Sequence, residues 1–410
     1  MKAQRFFWPL YVVLLLVAAL AGSEAIASLV VPSWPARDMR PIEVTSTPEV
    51  SYNDWALRDR PRTFERPPNV RFRSILVGDS FLEGAFLGAP LSAVVEKRLA
   101  ANGQTDAEAI NFGVSATGPR HYYYRIRNVG LALKPDAIVL AVYAGNDFIS
   151  TPFGGGGWLR PPIAELPLPS LLAGPAPRMT WLTVNRLGLS EFGRGNKPID
   201  GEFTTLNEWL RLPADERLTR ITQHVKRYYY PKLTEEVIRE ILSRGGDKFW
   251  TAFDKPAPDR EFLAGWLLSG MVDWETGTWP MPHTPEEADR LEGNSMVDET
   301  LSWLVAADRL AKENGVQLVV ALIPVGTGDP AYVDFWRPWP KYFSPSLSAD
   351  ARHRRLAVKL RQTAVPFFDL RDDLGGVQGT YRLTDGHWTE RGTEIAAARV
   401  TRELMKMRRN

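Results

Sequence analysis

The sequence predicts an α/β fold: a parallel sheet between two helical layers, with an N-terminal transmembrane helix and a mostly helical insertion. Three observations predict it. Short, wholly apolar runs such as Ala137–Tyr143 and Gln317–Ile323 read as strands buried on both faces, as a parallel sheet requires. They alternate with amphipathic helical stretches such as Leu91–Ala101 and Met296–Glu313. The alternation stops after residue 150 and resumes near 297.

In chain order, Lys2 and Arg5 precede an uncharged stretch from Phe6 to Ser23; Glu24 interrupts, and Ala25–Val31 is again apolar. Residues 1–31 therefore read as a membrane anchor or a signal segment. The positive flank stays cytoplasmic and the remainder crosses. Ala25-Ile26-Ala27 before Ser28 offers a cleavage site, but an apolar core of about 18 residues is long for a signal peptide and sufficient for a span. Residues 32–70, punctuated by Pro32, Pro35, Pro41, Pro48, Pro61, Pro67 and Pro68, read as a linker holding the domain off the membrane. The α/β domain is expected over 71–150 and 297–410, outside the cytoplasm.

Strands are expected at Arg73–Val77, Ala109–Phe112, Ala137–Tyr143, Gln317–Ile323 and Pro366–Leu370. Helices are expected at Leu91–Ala101, Arg120–Leu133, Met296–Glu313, Ala349–Arg361 and Glu390–Met407. Residues 151–296 show no βαβ period. They hold the run Gly154–Gly157, amphipathic stretches such as Glu235–Leu242, and Trp181, Trp209, Trp250, Trp266, Trp274 and Trp279. This is expected to be an inserted, aromatic-rich helical subdomain. Its tryptophans are core residues or a platform for stacking sugars, and its glycines a hinge.

Composition narrows the chemistry. With 44% hydrophobic and 24% charged residues the chain is globular. A net charge of +2 gives no reason to expect nucleic acid as a partner. There is no cysteine, which excludes thiolate catalysis, disulfides and cysteine-ligated zinc. Among five histidines no His-x-x-x-His pair occurs, so a zinc hydrolase is not expected, and attack by a serine hydroxyl calls for neither a metal nor an organic cofactor.

Four short blocks carry the candidate chemistry, each at an expected strand end. Gly78-Asp79-Ser80 follows Ile75-Leu76-Val77; Asn111-Phe112-Gly113 ends the second strand; Gly145-Asn146-Asp147 follows the third; and Asp385-Gly386-His387-Trp388 precedes the last helix. Ser80 can serve as nucleophile, His387 as its base, and Asp385 as the carboxylate that fixes the imidazole tautomer. The N–H groups of Ser80 and Gly113 and the Asn146 amide can converge as an oxyanion hole. Taken singly, Ser80 is also a good helix cap and Asn146 a good turn residue. His121, which precedes three tyrosines, is the rival base.

In this order the blocks resemble the SGNH (GDSL-type) hydrolases, and most of all membrane-anchored bacterial members and their cell-surface polysaccharide O-acetyl relatives. The resemblance implies a three-layer α/β/α fold, with Ser80, Asp385 and His387 as triad and Ser80, Gly113 and Asn146 as oxyanion donors. Ala116 stands where a glycine is common, and Asp385 lies two residues before His387, whereas many members have three. Leu82 breaks the G-x-S-x-G elbow of the α/β-hydrolases. The expected activity is serine-dependent ester hydrolysis or acyl transfer on small acyl esters, acetyl above all, of cell-envelope glycans. The alternatives are a lipase or lysophospholipase acting on the nearby bilayer, and a glycan-binding scaffold without turnover.

Overall fold

The computed structural model describes residues 2–30, 50–84, 87–115, 117–148, 208–252, 270–278 and 280–409, with single residues at 176, 178, 179, 182 and 268. Its elements are helix α1 (Lys2–Ala27), strand β1 (Phe72–Gly78), helices α2 (Ser80–Glu83) and α3 (Leu91–Ala101), β2 (Ala107–Gly113), α4 (Pro119–Asn128) and β3 (Ala137–Tyr143). There follow α5 (Ala214–Tyr228), α6 (Glu235–Ser243), α7 (Gly246–Thr251), α8 (Pro285–Leu291) and α9 (Ser295–Glu313). The chain closes with β4 (Gln317–Ile323), α10 (Pro330–Trp336), α11 (Pro340–Leu360), β5 (Phe367–Asp369), α12 (Arg371–Leu374) and α13 (Glu390–Arg409).

The strands form one parallel sheet in the order β2-β1-β3-β4-β5. Side chains alternate across a strand, and here both faces are apolar. Ile75, Val77, Ile138, Leu140, Val320 and Leu322 face α4, α9 and α11 in one core. Leu76, Val139, Ala141, Val319 and Ala321 face α3 and α13 in the other. Three layers result, as expected from the unbroken apolar runs.

Two expected boundaries move. Helix α11 begins at Pro340, nine residues before the expected Ala349, and carries Pro345 inside it. Trp339 just before it is fully buried, and Tyr342 and Phe343 pack on the same aromatic cluster, so tertiary burial overrides the proline-rich local signal. The expected helix Arg120–Leu133 divides into α4 and a 3-10 turn over Gly130–Leu133. A Cβ at Gly130 would meet the Ile75 side chain at 2.9 Å, so that glycine permits the close approach to β1.

The linker reading of residues 32–70 needs correction over its second half; residues 31–49 lie outside the described ones. From residue 50 onward the chain lies against the edge strand β2. Leu57 and Trp55 are buried in the core. Asp59 Oδ2 accepts the Asn111 N–H at 2.8 Å, Asn111 Nδ2 donates to the Arg58 carbonyl at 2.9 Å, and Arg62 donates to the Ala109 carbonyl at 3.0 Å. The Arg62 side chain is only 2% exposed and pairs with Asp59, Glu96 and Glu108. The prolines set a non-repetitive path, but that path is a strap on the sheet edge.

Within 151–296 the described elements are helical: α5, α6, α7, residues 270–276, α8 and the start of α9. Ile221, Ile238, Leu242 and Met271 join Phe335, Trp336 and Trp339 in a third core. Trp250 is buried there, so it is a core residue. Gly154–Gly157, Trp181, Trp266 and Trp279 lie outside the described residues.

Helix α1 holds a 20-residue apolar stretch, Trp8–Ala27, with mean hydropathy 2.2 and 6% buried. Its length, about 30 Å, matches the hydrocarbon core of a bilayer, so it is a candidate anchor or signal segment. Glu24 near its end accepts the N–H groups of Arg178 and Met179 at 2.9–3.0 Å, and Ala27 is buried. A cut after Ala27 would sever both contacts. The mature protein is therefore expected to begin at or near Met1 and to remain in the membrane pellet after a high-salt wash. N-terminal sequencing that reads from Ser28 would overturn this.

Candidate active site

The order of the sheet reverses at β1, which has β2 on one side and β3 on the other. A crevice opens beyond the carboxyl ends of strands at such a reversal. The register aligns Gly78 with Gly113, so both blocks leave the sheet at one level. Asp79 caps α2, accepting the Phe81 N–H at 3.0 Å. Ser80 is the first residue of that helix and is half-buried.

His387 reaches this point from the other end of the chain. Its Nε2 lies 2.8 Å from Ser80 Oγ, and its Nδ1 lies 3.5 Å from Asp385 Oδ1. The Asp385 side chain is 1% exposed and that of His387 21%, so the carboxylate is sealed while the imidazole meets the crevice. The spacing of two residues permits this because Asp385 Oδ1 also accepts the His387 N–H at 2.9 Å, closing a tight side-chain turn. Gly386, at φ +72°, supplies the left-handed conformation which that turn needs. The Phe81 ring lies under the imidazole at 4.9 Å, and Trp388 meets Phe81 edge-on at 5.0 Å. Burial pushes the Asp385 carboxyl up, but the His387 hydrogen bond and charge and the Arg382 guanidinium, 2.9 Å from Oδ2, hold it below the usual range. It remains a carboxylate, as an orienting group must.

Gly113 requires a correction. Its N–H donates to Asn111 Oδ1 at 2.8 Å, inside the fold. A Cβ there would lie 2.2 Å from the Glu83 N, so the glycine is needed for α2 to pack against β2. Its N–H is thereby taken out of the oxyanion hole. Residue 116, in the loop that follows, is outside the described residues. Asn146 is half-buried after β3. Its amide adjoins the Asp79 carboxylate, favouring the charged form. Its Oδ1 has no hydrogen-bond partner among the described residues, so the side chain is not consumed in closing the turn. His121, the rival base, is buried, and its Nδ1 accepts the Gly118 N–H at 3.4 Å at the start of α4.

Sequence reading missed the buried polar groups beneath the crevice. Arg125 donates to the Gly78 and Phe112 carbonyls at 3.1 and 2.8 Å and to Thr117 Oγ1 at 3.0 Å, binding the ends of β1 and β2 together. Asp147 accepts the Tyr122 O–H at 2.9 Å and the Tyr143 N–H at 2.8 Å. Burial first, and then the charge of Asp79, raise its carboxyl well above the usual range. Glu83 accepts the Tyr52 O–H at 2.7 Å and the Ser115 N–H at 2.5 Å, joining the edge strap to the second block. Asp329 accepts the N–H groups of Gly379, Thr380 and Tyr381 at 2.8–3.1 Å, fixing the approach to the His387 loop. None of these stands out in sequence, where each is an ordinary polar residue in a helix or turn.

A parallel sheet with a serine and a histidine in hydrogen bond at its carboxyl edge is an arrangement suited to serine-based acyl chemistry. Residues 284–409, which include β4, β5, Asp385 and His387, match the family model described as the SGNH hydrolase-like domain of the acetyltransferase AlgX. This part of the chain is thus similar to an SGNH hydrolase-like domain, a class whose chemistry is ester hydrolysis or acyl transfer. A search of curated proteins returned no match. Among solved structures, a GDSL-like lipase from Bacteroides thetaiotaomicron overlaps with a TM-score of 0.34 at 11% identity, covering 83% of this chain and 92% of its own. A lipase/acylhydrolase from Enterococcus faecalis gives 0.31 at 12% identity, covering 81% and 95%. At such scores they add nothing to the sheet order and the family match.

Asp79 makes a test of the site's energetics. Burial raises its carboxyl to about 6, only partly offset by the Phe81 N–H. The folded state thus holds this proton more tightly than the unfolded chain does. Between about pH 4 and pH 6 stability falls as pH rises, and the full cost of the buried charge is present above pH 6. Asp79→Asn is expected to stabilise the protein at pH 7.5, by up to about 3 kcal/mol, and to lose that gain near pH 4. Denaturant unfolding at both pH values checks this; an equal gain at both would refute it.

Proposed function

We propose that this protein is a membrane-tethered serine esterase or acyltransferase, with its catalytic domain outside the cytoplasm, acting on small acyl esters of cell-envelope glycans. The observation that carries the reading is the 2.8 Å contact between Ser80 Oγ and His387 Nε2, with the sealed Asp385 carboxylate behind the ring. The family match to an acetyltransferase domain supports acetyl as the acyl group. The apolar helix α1 and its positive flank support the location.

In this reading Ser80 Oγ attacks the ester carbonyl carbon while His387 Nε2 takes its proton. The negative charge that develops on the carbonyl oxygen meets the Ser80 N–H and the Asn146 amide. As the tetrahedral intermediate collapses, His387 returns the proton to the departing alcohol. Water, or a sugar hydroxyl, then attacks the acyl-serine with His387 again as base, and as the acyl–Oγ bond breaks His387 returns that proton to Ser80 Oγ. Asp385 holds the imidazole in the required tautomer and stabilises its charged form.

Ser80→Ala and His387→Ala are each expected to lower turnover of p-nitrophenyl acetate by at least about 10⁴-fold while the protein still unfolds cooperatively; Asp385→Asn is expected to cost less. A serine-reactive phosphonate should label Ser80, and labelling elsewhere would refute the assignment. Asn146→Ala should lower kcat about 10²–10³-fold with little change in KM. A series of esters of increasing chain length decides the substrate class: preference for acetyl supports the glycan reading, preference for long chains makes a lipid the substrate, and no turnover makes the protein a binder.

A further inference from the structure

Helix α10 stands between the inserted helices and the loop that carries Asp385 and His387. Asp329, at its N-cap, accepts the Ala331 N–H of its own helix and the N–H groups of residues 379–381. Tyr332, three residues on, covers Gly386: a Cβ there would lie 3.2 Å from the tyrosine hydroxyl. Trp336, four further on, donates its indole N–H to the Leu383 carbonyl at 3.0 Å. Spacings of three and four put these groups along one side of a helix. They meet the loop before, within and beside its tight turn.

The rest of α10 faces the insertion. Phe335 stacks on Phe249 of α7 at 5.8 Å. Trp336 lies 5.8 Å from Trp339 and 4.9 Å from Tyr342. Trp339 in turn donates to the Ile241 carbonyl of α6 at 2.7 Å and packs so closely on Gly245 that a Cβ there would meet its ring at 2.3 Å. Glu275, from the helix over residues 270–276 of the insertion, caps α11 through the Lys341 and Tyr342 N–H groups, both at 2.9 Å. Leu383 belongs to this same aromatic cluster. The insertion and the catalytic loop thus share one rigid wall.

We propose that Trp336 is a positioning residue: through its bond to Leu383 it passes the packing of the insertion to the Asp385–His387 turn and so sets where the base stands. The proposal rests on the serine-hydrolase reading of that site. It gives the insertion a part in the chemistry beyond covering the crevice. A domain stripped of residues 151–296 would lose one side of the Trp336 wall, and its activity on a small acetyl ester would fall with its activity on the natural polymer.

Trp336→Phe keeps an aromatic ring and removes the N–H. Trp339→Phe does the same to a neighbour that bonds the insertion but not the loop. The first is expected to lower kcat for p-nitrophenyl acetate about tenfold with KM unchanged, as a small misplacement of a catalytic group does; the second should leave kcat within about twofold. Histidine labelled with 15N gives a readout that needs no turnover, since only five histidines are present. The His387 ring signals, assigned with His387→Gln, should move in Trp336→Phe and stay in Trp339→Phe. Unchanged His387 signals in Trp336→Phe, or equal changes in both variants, would overturn the proposal. If the wild-type protein neither turns over esters nor reacts with the phosphonate, the serine-hydrolase reading fails, and the ring signals still decide the positioning.

Discussion

The site depends on one hydrogen bond between residues 307 positions apart, Ser80 and His387. Such a contact carries a large loop-closure entropy if made alone. The sheet removes that cost by fixing both ends independently. Ser80 leaves the end of β1, a central strand buried on both faces, and His387 stands just before α13, which packs on the same sheet through Ala396, Val400 and Leu404. The two groups meet because two cores hold their supports, and their own bond adds only the last increment of order.

The crevice is built at the expense of stability. Asp79 and Asp147 are both buried, which raises both carboxyls, and the charge of Asp79 raises that of Asp147 further. Arg125 lies near enough to favour the charge of Asp147, but its guanidinium hydrogens are given to the Gly78 and Phe112 carbonyls and to Thr117. Buried carboxyls crowded beneath Ser80 are a poor way to hold a fold together. Sites that must stay fixed while charge develops commonly show this trade.

Much of this was legible in the sequence. The strands at Ala137–Tyr143 and Gln317–Ile323 occupy the ranges the apolar runs predict. Ser80, Asp385 and His387 lie together, as the order of their motif blocks at expected strand ends suggested. Gly113 was misread because a glycine at a strand end serves equally to expose an N–H or to admit a neighbouring backbone, and only packing tells which; here Glu83 and Leu82 press on it. Residues 50–70 were misread because proline density marks an irregular path without saying what the path lies against. Helix α10 was not foreseen: seven residues hemmed by Pro330 and Pro338 give too little period to see, and its importance lies wholly in contacts distant in sequence.

The strap over β2 has a consequence for how the molecule can associate. The N–H groups of Ala109 and Asn111 and the Ala109 carbonyl, on the open side of that strand, are already taken by Glu96, Asp59 and Arg62. At the opposite margin β5 is only three residues long. Neither margin offers a ladder long enough to template another strand. Through these margins the sheet cannot be extended from one molecule to the next, and assembly with a neighbour falls to the helical faces.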